Sequence, residues 1–391
     1  MLRSGFQCAV GLMACVGAPG VGRADVDPLS GVDFVRVGAV GNAPWMGNGT
    51  SGDIAIGRGS VGYEYSIGRF EITTAQWAEF MNAAFDRPAS EWTPHVSPPS
   101  RWGGVAATPT APGGLRWTVP AGNEMLPVGG ISWRTAAIYC NWLSNGKSTD
   151  VSAFRSGAYD VATFLDNGNG FSDQVTHSAN AQYWIPTWDE WIKAAHYDPN
   201  RFGPGQPGYW IASNTLGHLA SAGPPGVGEA NYGFVSPNPS LIPLGAYPGV
   251  TSAWGLLDTA GGTSEWTEQV FFSLGQPAER GYEGSYFGSL GNAAIGDSIY
   301  TPLGSSMPGS VASNFGFRLA SSVPAPATCL IVGGLFGHAG TRDRRRGRRI
   351  GAFTRPGVWI ALPAGTGESV RGSREPRPSW PTATAPQPPR P

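Results

Sequence analysis

The chain has 391 residues, a formal net charge of −1 and only 14% charged residues. That length accommodates one large domain or two ordinary ones, and the near-neutral balance excludes a nucleic-acid partner held by clustered positive charge. Gly (58), Pro (35) and Trp (15) are abundant, a mixture that favours short elements joined by many turns over long helices.

In chain order, Arg3, the apolar "FQCAVGLMACVGAPGVG" and the small-residue exit "GRA" read as an export signal over residues 1–24. The apolar part is too short and Gly-rich for a membrane span. "LMAC" offers Cys15 as the lipidated residue of an alternative lipoprotein reading. "VDFVRVG" alternates apolar and polar residues and predicts a strand. In "GYEYSIGRFEITTAQWAEFMNAAF", Tyr63, Tyr65 and Ile67 share one strand face. Thr73 or Thr74 then caps a helix whose Trp77, Phe80, Met81 and Phe85 recur at helical spacing.

"SWRTAAIYCNWLSNG" predicts a second helix, capped by Ser132 and stopped by Gly146. "PTWDEWIKAAHYDPN" predicts a third, with Thr187 as cap, Glu190 at capping-box spacing and Pro199 beyond its end. Loops are expected over 86–126 and 147–180. Within the second, "LDNGNGFSDQ" puts Gly168 and Gly170 where a calcium loop needs side-chain oxygens, so a polar hairpin tip is expected. Residues 201–250 are turn-rich. Past Ala320 come a Pro-rich hinge, a short apolar run and an Arg cluster, over 321–350. The run has about half of the ~20 apolar residues a span requires. From 351 to 391 the Pro- and Arg-rich composition predicts disorder.

The cysteines are Cys8, Cys15, Cys140 and Cys329. Removing the signal and setting aside the terminal segment leaves a domain over 25–320 with Cys140 alone. That excludes a disulfide framework and any chemistry needing two thiols in one site.

Five blocks then stand in one order: "GRFEITTAQWAEFMNA", "LPVGGISWRTAAIYCNWLSNG", "YWIPTWDEWIKAAHYDPN", "WGLLDTAGGTSEWTE" and "NFGFRLA". Together they resemble the formylglycine-generating enzymes, or sulfatase-modifying factors, over roughly residues 32–320. The resemblance implies an α+β, single compact domain with little regular structure, C-type-lectin-like. It also implies a copper(I) ion held by two cysteines five residues apart near the domain's C-terminal end, where soft thiolates suit the soft ion. The corresponding stretch here, "ERGYEGSYFGSLGNAAIGDSIYTPLGSSMPGSVASNFGFRLA", has neither cysteine nor histidine, and Met307 is a lone thioether. Copper oxidase chemistry is therefore expected to be absent, with no catalytic residue assigned. Non-haem iron wants two His and a carboxylate, yet His95, His177, His196 and His218 are isolated in sequence.

"GGTSEW" resembles the family loop Gly-Asn-x-x-Glu-Trp that helps bind a structural calcium ion. Glu265 matches the calcium-ligating Glu, while Gly262 stands where the Asn oxygen would be. Asn231 in "EANYGF" matches an Asn of a second calcium position. The competing reading is that Glu265 accepts backbone N–H bonds from the Gly-Gly turn while Trp266 fills the core. "VPAPAT" with its apolar run and arginines resembles a C-terminal sorting signal built on Pro-Glu-Pro, with Ala325 in place of the Glu. This implies residence in the cell envelope or outside the cell, and membrane association through either terminal segment.

The expected function is an exported, non-oxidising scaffold that binds an extended peptide or a glycan on a Trp- and Tyr-lined groove. "GYEGSYFGS" and "YWIASN" are its expected lining segments. The alternative is a sulfatase-modifying or related non-haem iron oxidoreductase with atypical ligands.

Overall fold

Local signals set the helices. In the computed structural model, Thr73 caps α1 (Thr74–Phe85): its hydroxyl accepts from the Gln76 N–H while the Gln76 side chain accepts from the Thr73 N–H. Ser132 caps α2 (Trp133–Ser144), its hydroxyl accepting from the Thr135 N–H. Gly146, at φ +67°, turns the chain away after it, a conformation that costs glycine least. A short α3 (Val151–Arg155) lies in what composition marks as loop. Five residues span too little for a helical period to show. The Thr187–Glu190 capping box opens α4 (Trp188–His196).

The structure describes residues 25–322 except 51, 108–115, 235–237, 273–277, 291–295 and 301–303. The export signal, Cys15, the sorting segment beyond Ser322 and the 351–391 tail lie outside the described residues.

Two sheets frame the helices. A five-stranded sheet runs Asp25–Val26, Asp33–Val37, Tyr65–Gly68, Ala320–Ser322, Tyr183–Trp184, with every neighbouring pair antiparallel. Tyr63 falls outside its expected strand, is largely exposed and donates its hydroxyl to Glu190. A four-stranded sheet runs Gly304–Ser306, Glu279–Glu283, Ser264–Phe271, Phe315–Gly316, the last pair parallel. The "LDNGNGF" stretch is a hairpin, Asp166–Asn167 paired with Gly170–Phe171.

Aromatic rings fill the space between. Trp77 of α1 stacks on Tyr139 of α2 with centroids 5.2 Å apart, and Phe80, Trp142, Phe154 and Phe317 close around them. Each such ring removed from water contributes about 1.5–3 kcal/mol. A second cluster joins Trp45, Trp188, Trp191, Ile192 and Ile299. The domain thus hangs on tightly packed aromatics with little regular structure between them.

Candidate functional site

The strand Ser264–Phe271 starts directly after Gly261 and Gly262, at φ +80° and +73°. A Cβ on Gly262 would lie 2.6 Å from Glu71 Oε1. Glu71, which sequence reasoning passed over, therefore fills the space that a side chain at position 262 would take. It is buried and accepts from the Thr263 N–H at 3.0 Å and the Thr263 hydroxyl at 2.8 Å. Burial, reinforced by the neighbouring Glu265, pushes Glu71 well above the usual carboxylate range.

Around this turn the chain forms a cleft. Gly262 N–H donates to the Asn231 carbonyl (3.1 Å), and Gly262 carbonyl accepts from Phe287 N–H (3.0 Å). Arg101 and Gly129 exchange two backbone bonds of 2.9 and 2.7 Å. The cleft is narrow, with room for about one water, and is lined by residues including Arg101, Pro127, Asn231, Pro239, Gly262 and Phe287. The Arg101 guanidinium lies over the Phe287 ring, 4.2 Å from its centroid. Tyr286 and Phe234 set that ring from the sides at 5.4 and 6.1 Å. Asn231 is buried, and its Nδ2 donates to the Pro239 carbonyl at 2.8 Å. Its Oδ1 is buried without a partner.

Of the expected lining segments, "GYEGSYFGS" supplies Phe287. "YWIASN" does not reach the cleft: Tyr209 and Ile211 pack on the second aromatic cluster, and Ala212, Ser213 and Asn214 are buried.

Glu265 faces away into the core. Its two oxygens take the Arg318 Nη2 and Nε, both at 2.5 Å, and Oε2 also accepts from Trp191 Nε1 at 2.8 Å. Arg318, fully buried, donates its other N–H groups to the carbonyls of Gly68, Arg69 and Leu257. The turn's donor therefore goes to Glu71, and Glu265 is satisfied by the guanidinium. A calcium ion at Glu265 would have to displace that guanidinium. Asn231 keeps one oxygen free. Among the described residues, no group of three or more acidic, histidine or cysteine side chains is arranged for a metal.

Copper does not fit the residues present. Cys140 is the sole cysteine among the described residues, fully buried on α2. Burial pushes its thiol well above the ordinary value, which disfavours the thiolate that a soft metal needs.

The histidines are each held by different partners. His196 is buried, pushed down to about 4 by that burial, with Nδ1 at 3.2 Å from the Trp210 carbonyl. His218 pairs with Glu229 at the surface. His95, at φ +70°, sits edge-on to Phe164. His177 stacks on Trp184 at 4.5 Å, with Nδ1 3.0 Å from Glu268 Oε1. That oxygen also accepts from the Tyr159 hydroxyl (2.5 Å) and the His177 N–H (2.8 Å).

Burial alone would lower His177, but the hydrogen bond and charge of Glu268 outweigh it and the net shift is upward. A folded value above the unfolded one gives stability fully present below about pH 6.5 and lost as pH rises through the folded value. His177→Gln is expected to flatten that dependence. Urea unfolding at about pH 5 and about pH 9 checks it, and parallel curves for wild type and variant would refute it.

A family model described as "Sulfatase-modifying factor enzyme 1-like domain" matches residues 50–323. No curated protein matches the sequence. Similar solved structures include CarF (TM-score 0.47, 18% identity, 75% of this chain and 99% of that one). Treponema denticola variable protein 1 matches at TM-score 0.47 and 18% identity, over 76% and 99%. PvdO from Pseudomonas aeruginosa matches at TM-score 0.43 and 13% identity, over 78% and 100%. The family match spans well over half of the sequence, and the mixed α/β fold with its short strands is the one the five blocks imply: the chain belongs to the sulfatase-modifying factor, or formylglycine-generating enzyme, family.

Proposed function

We propose that this family member is an exported protein that does not oxidise thiols and instead holds an extended peptide across the mouth of the cleft that Arg101, Asn231 and Phe287 line. The observation that carries this reading is Asn231 Oδ1, an acceptor buried at the cleft without a partner. Burying such a group unpaired costs about 1–3 kcal/mol, which a ligand N–H would recover. A narrow wall of Gly, Pro and Phe backbone and ring suits a chain with exposed N–H groups. The face of Phe287 that a sugar would stack on is covered by the Arg101 guanidinium, which favours peptide over glycan. Glu265 in this reading is a structural ion-pair partner.

The test has two arms on the purified full chain. Metal analysis is expected to find neither copper nor iron in stoichiometric amount, and a cysteine-containing peptide is expected to cause no oxygen uptake and gain no aldehyde. Peptide and glycan arrays are expected to retain peptides. Aldehyde formation would overturn the reading, and stoichiometric iron with oxygen consumption would favour the oxidoreductase alternative.

A further inference from the structure

Glu265 and Glu283 stand directly opposite each other where the strands Ser264–Phe271 and Glu279–Glu283 pair. Opposed side chains on one sheet face lie about 4.5–5.5 Å apart at Cβ, and like charges there repel. Both carboxyl groups are buried, which strengthens that repulsion. Arg318 directs Nε and Nη2 to Glu265, and its other N–H bonds run to backbone carbonyls. The charged groups that act on Glu283 are Glu265 across the pair and Asp297 from the chain beyond it, both acids. From α4 it is faced by the neutral Trp188 indole, whose N–H is turned toward it without completing a hydrogen bond. Burial, with those two acids, pushes Glu283 well above the usual carboxylate range. Asp297, also buried, accepts the Ser285 N–H at 2.7 Å and the Ser285 hydroxyl at 2.8 Å, yet burial outweighs both bonds and lifts it to about 7. Between the two acids begins the segment that brings Phe287 to the cleft. It is tied to the glycine turn by Gly261 N–H donating to Ser285 Oγ (2.9 Å) and Phe287 N–H donating to the Gly262 carbonyl (3.0 Å).

We propose that Glu283–Phe287 is a proton-operated latch: Glu283 fits opposite Glu265 in its neutral form, and loss of its proton to the solvent frees the strand end that carries Phe287. The proposal goes beyond the binding reading and holds whatever the cleft receives. Two opposed buried carboxyl groups are accommodated when one keeps its proton. Ionisation of Glu283 sets a charge beside Glu265 with no cation left to meet it, and turning the carboxylate out to water relieves this. Gly284, at φ +78°, is the adjoining residue with the freedom to follow. Asp297 ionises over the same rise in pH and adds to the repulsion. Both groups have folded values above their unfolded ones, so the stability they contribute is whole below about pH 4 and lost as pH rises through the folded values.

The experiment is hydrogen–deuterium exchange of the full chain at about pH 6 and about pH 9, read by mass spectrometry as protection factors, which remove the ordinary pH dependence of exchange. Segments covering 279–289 are expected to lose about tenfold in protection between the two conditions, while α1 and α2 keep theirs. Glu283→Gln, which keeps the shape and cannot ionise, is expected to abolish most of that loss, and Asp297→Asn to reduce it. His177→Gln is expected to leave it unchanged, which separates the latch from the His177–Glu268 pair.

Unchanged protection over 279–289, a loss spread evenly through the domain, or a loss of wild-type size in Glu283→Gln overturns the latch. Should Glu283→Gln not fold, a loss of wild-type size in Asp297→Asn overturns it.

Discussion

Arg318→Met is expected to destabilise the domain by about 3–5 kcal/mol, the cost of leaving a buried carboxylate without its counter-charge. Arg318 and Glu265 are 0% and 1% exposed, and the guanidinium also ties together carbonyls from the Gly68–Arg69 and Leu257 segments. Removing it leaves Glu265 facing Glu71, Asp258 and Glu283, which burial has already pushed above their usual values, Asp258 to about 6. Urea unfolding followed by circular dichroism measures the loss. The double variant Glu265→Leu/Arg318→Met is expected to recover most of it, since apolar residues of similar volume commonly replace a buried pair without loss. Glu265→Ala alone is expected to lose the same stability with calcium or with chelator. Tight calcium uptake in a calorimetric titration by wild type but not by Glu265→Ala would show instead that the carboxylate serves a metal.

Trp266→Ala is expected to cost about 3–5 kcal/mol by opening a cavity the surrounding rings cannot close. Trp266 is fully buried, 4.4 Å from Phe315 and 5.8 Å from Tyr282 between ring centroids. Its Nε1 donates to the Ile131 carbonyl at 3.0 Å, joining the four-stranded sheet to the segment that enters α2. The substitution therefore removes packing and strands a buried acceptor at once. Trp266→Phe, which keeps most of the volume, is expected to lose roughly half as much. Equal losses for the two variants in urea unfolding would mean that the hydrogen bond outweighs the packing.

Sequence-based expectation succeeded where the deciding interactions are local. Thr73, Ser132 and Thr187 announce three helices because each cap bonds within three residues of itself. The turn-rich composition likewise matched a fold of short strands. The site was less legible. Glu265 was visible in "GGTSEW", but its partner Arg318 lies 53 positions later, and no periodicity links the two. Glu71 sits 192 positions before the Thr263 that it accepts from, so the reason for glycine at 262 appears only in three dimensions. Arg101 lies in a stretch with no helical or strand period, and its stacking on Phe287 is a matter of chain crossing. Tyr209 and Trp210 of "YWIASN" were expected at a groove, but Tyr209 packs on the second aromatic cluster and Trp210 under the Arg201 guanidinium, because a ring's chemistry suits several places.

The strand Ala320–Ser322 lies between Tyr65–Gly68 and Tyr183–Trp184 in the five-stranded sheet. Without it, Tyr183–Trp184 has no neighbour there and the oldest and youngest parts of a growing polypeptide never meet. Contacts this distant in sequence are slow to form. A ribosome-bound intermediate ending before position 320 would hold an open, unpaired edge, so the domain reaches its final shape only after that strand has been made.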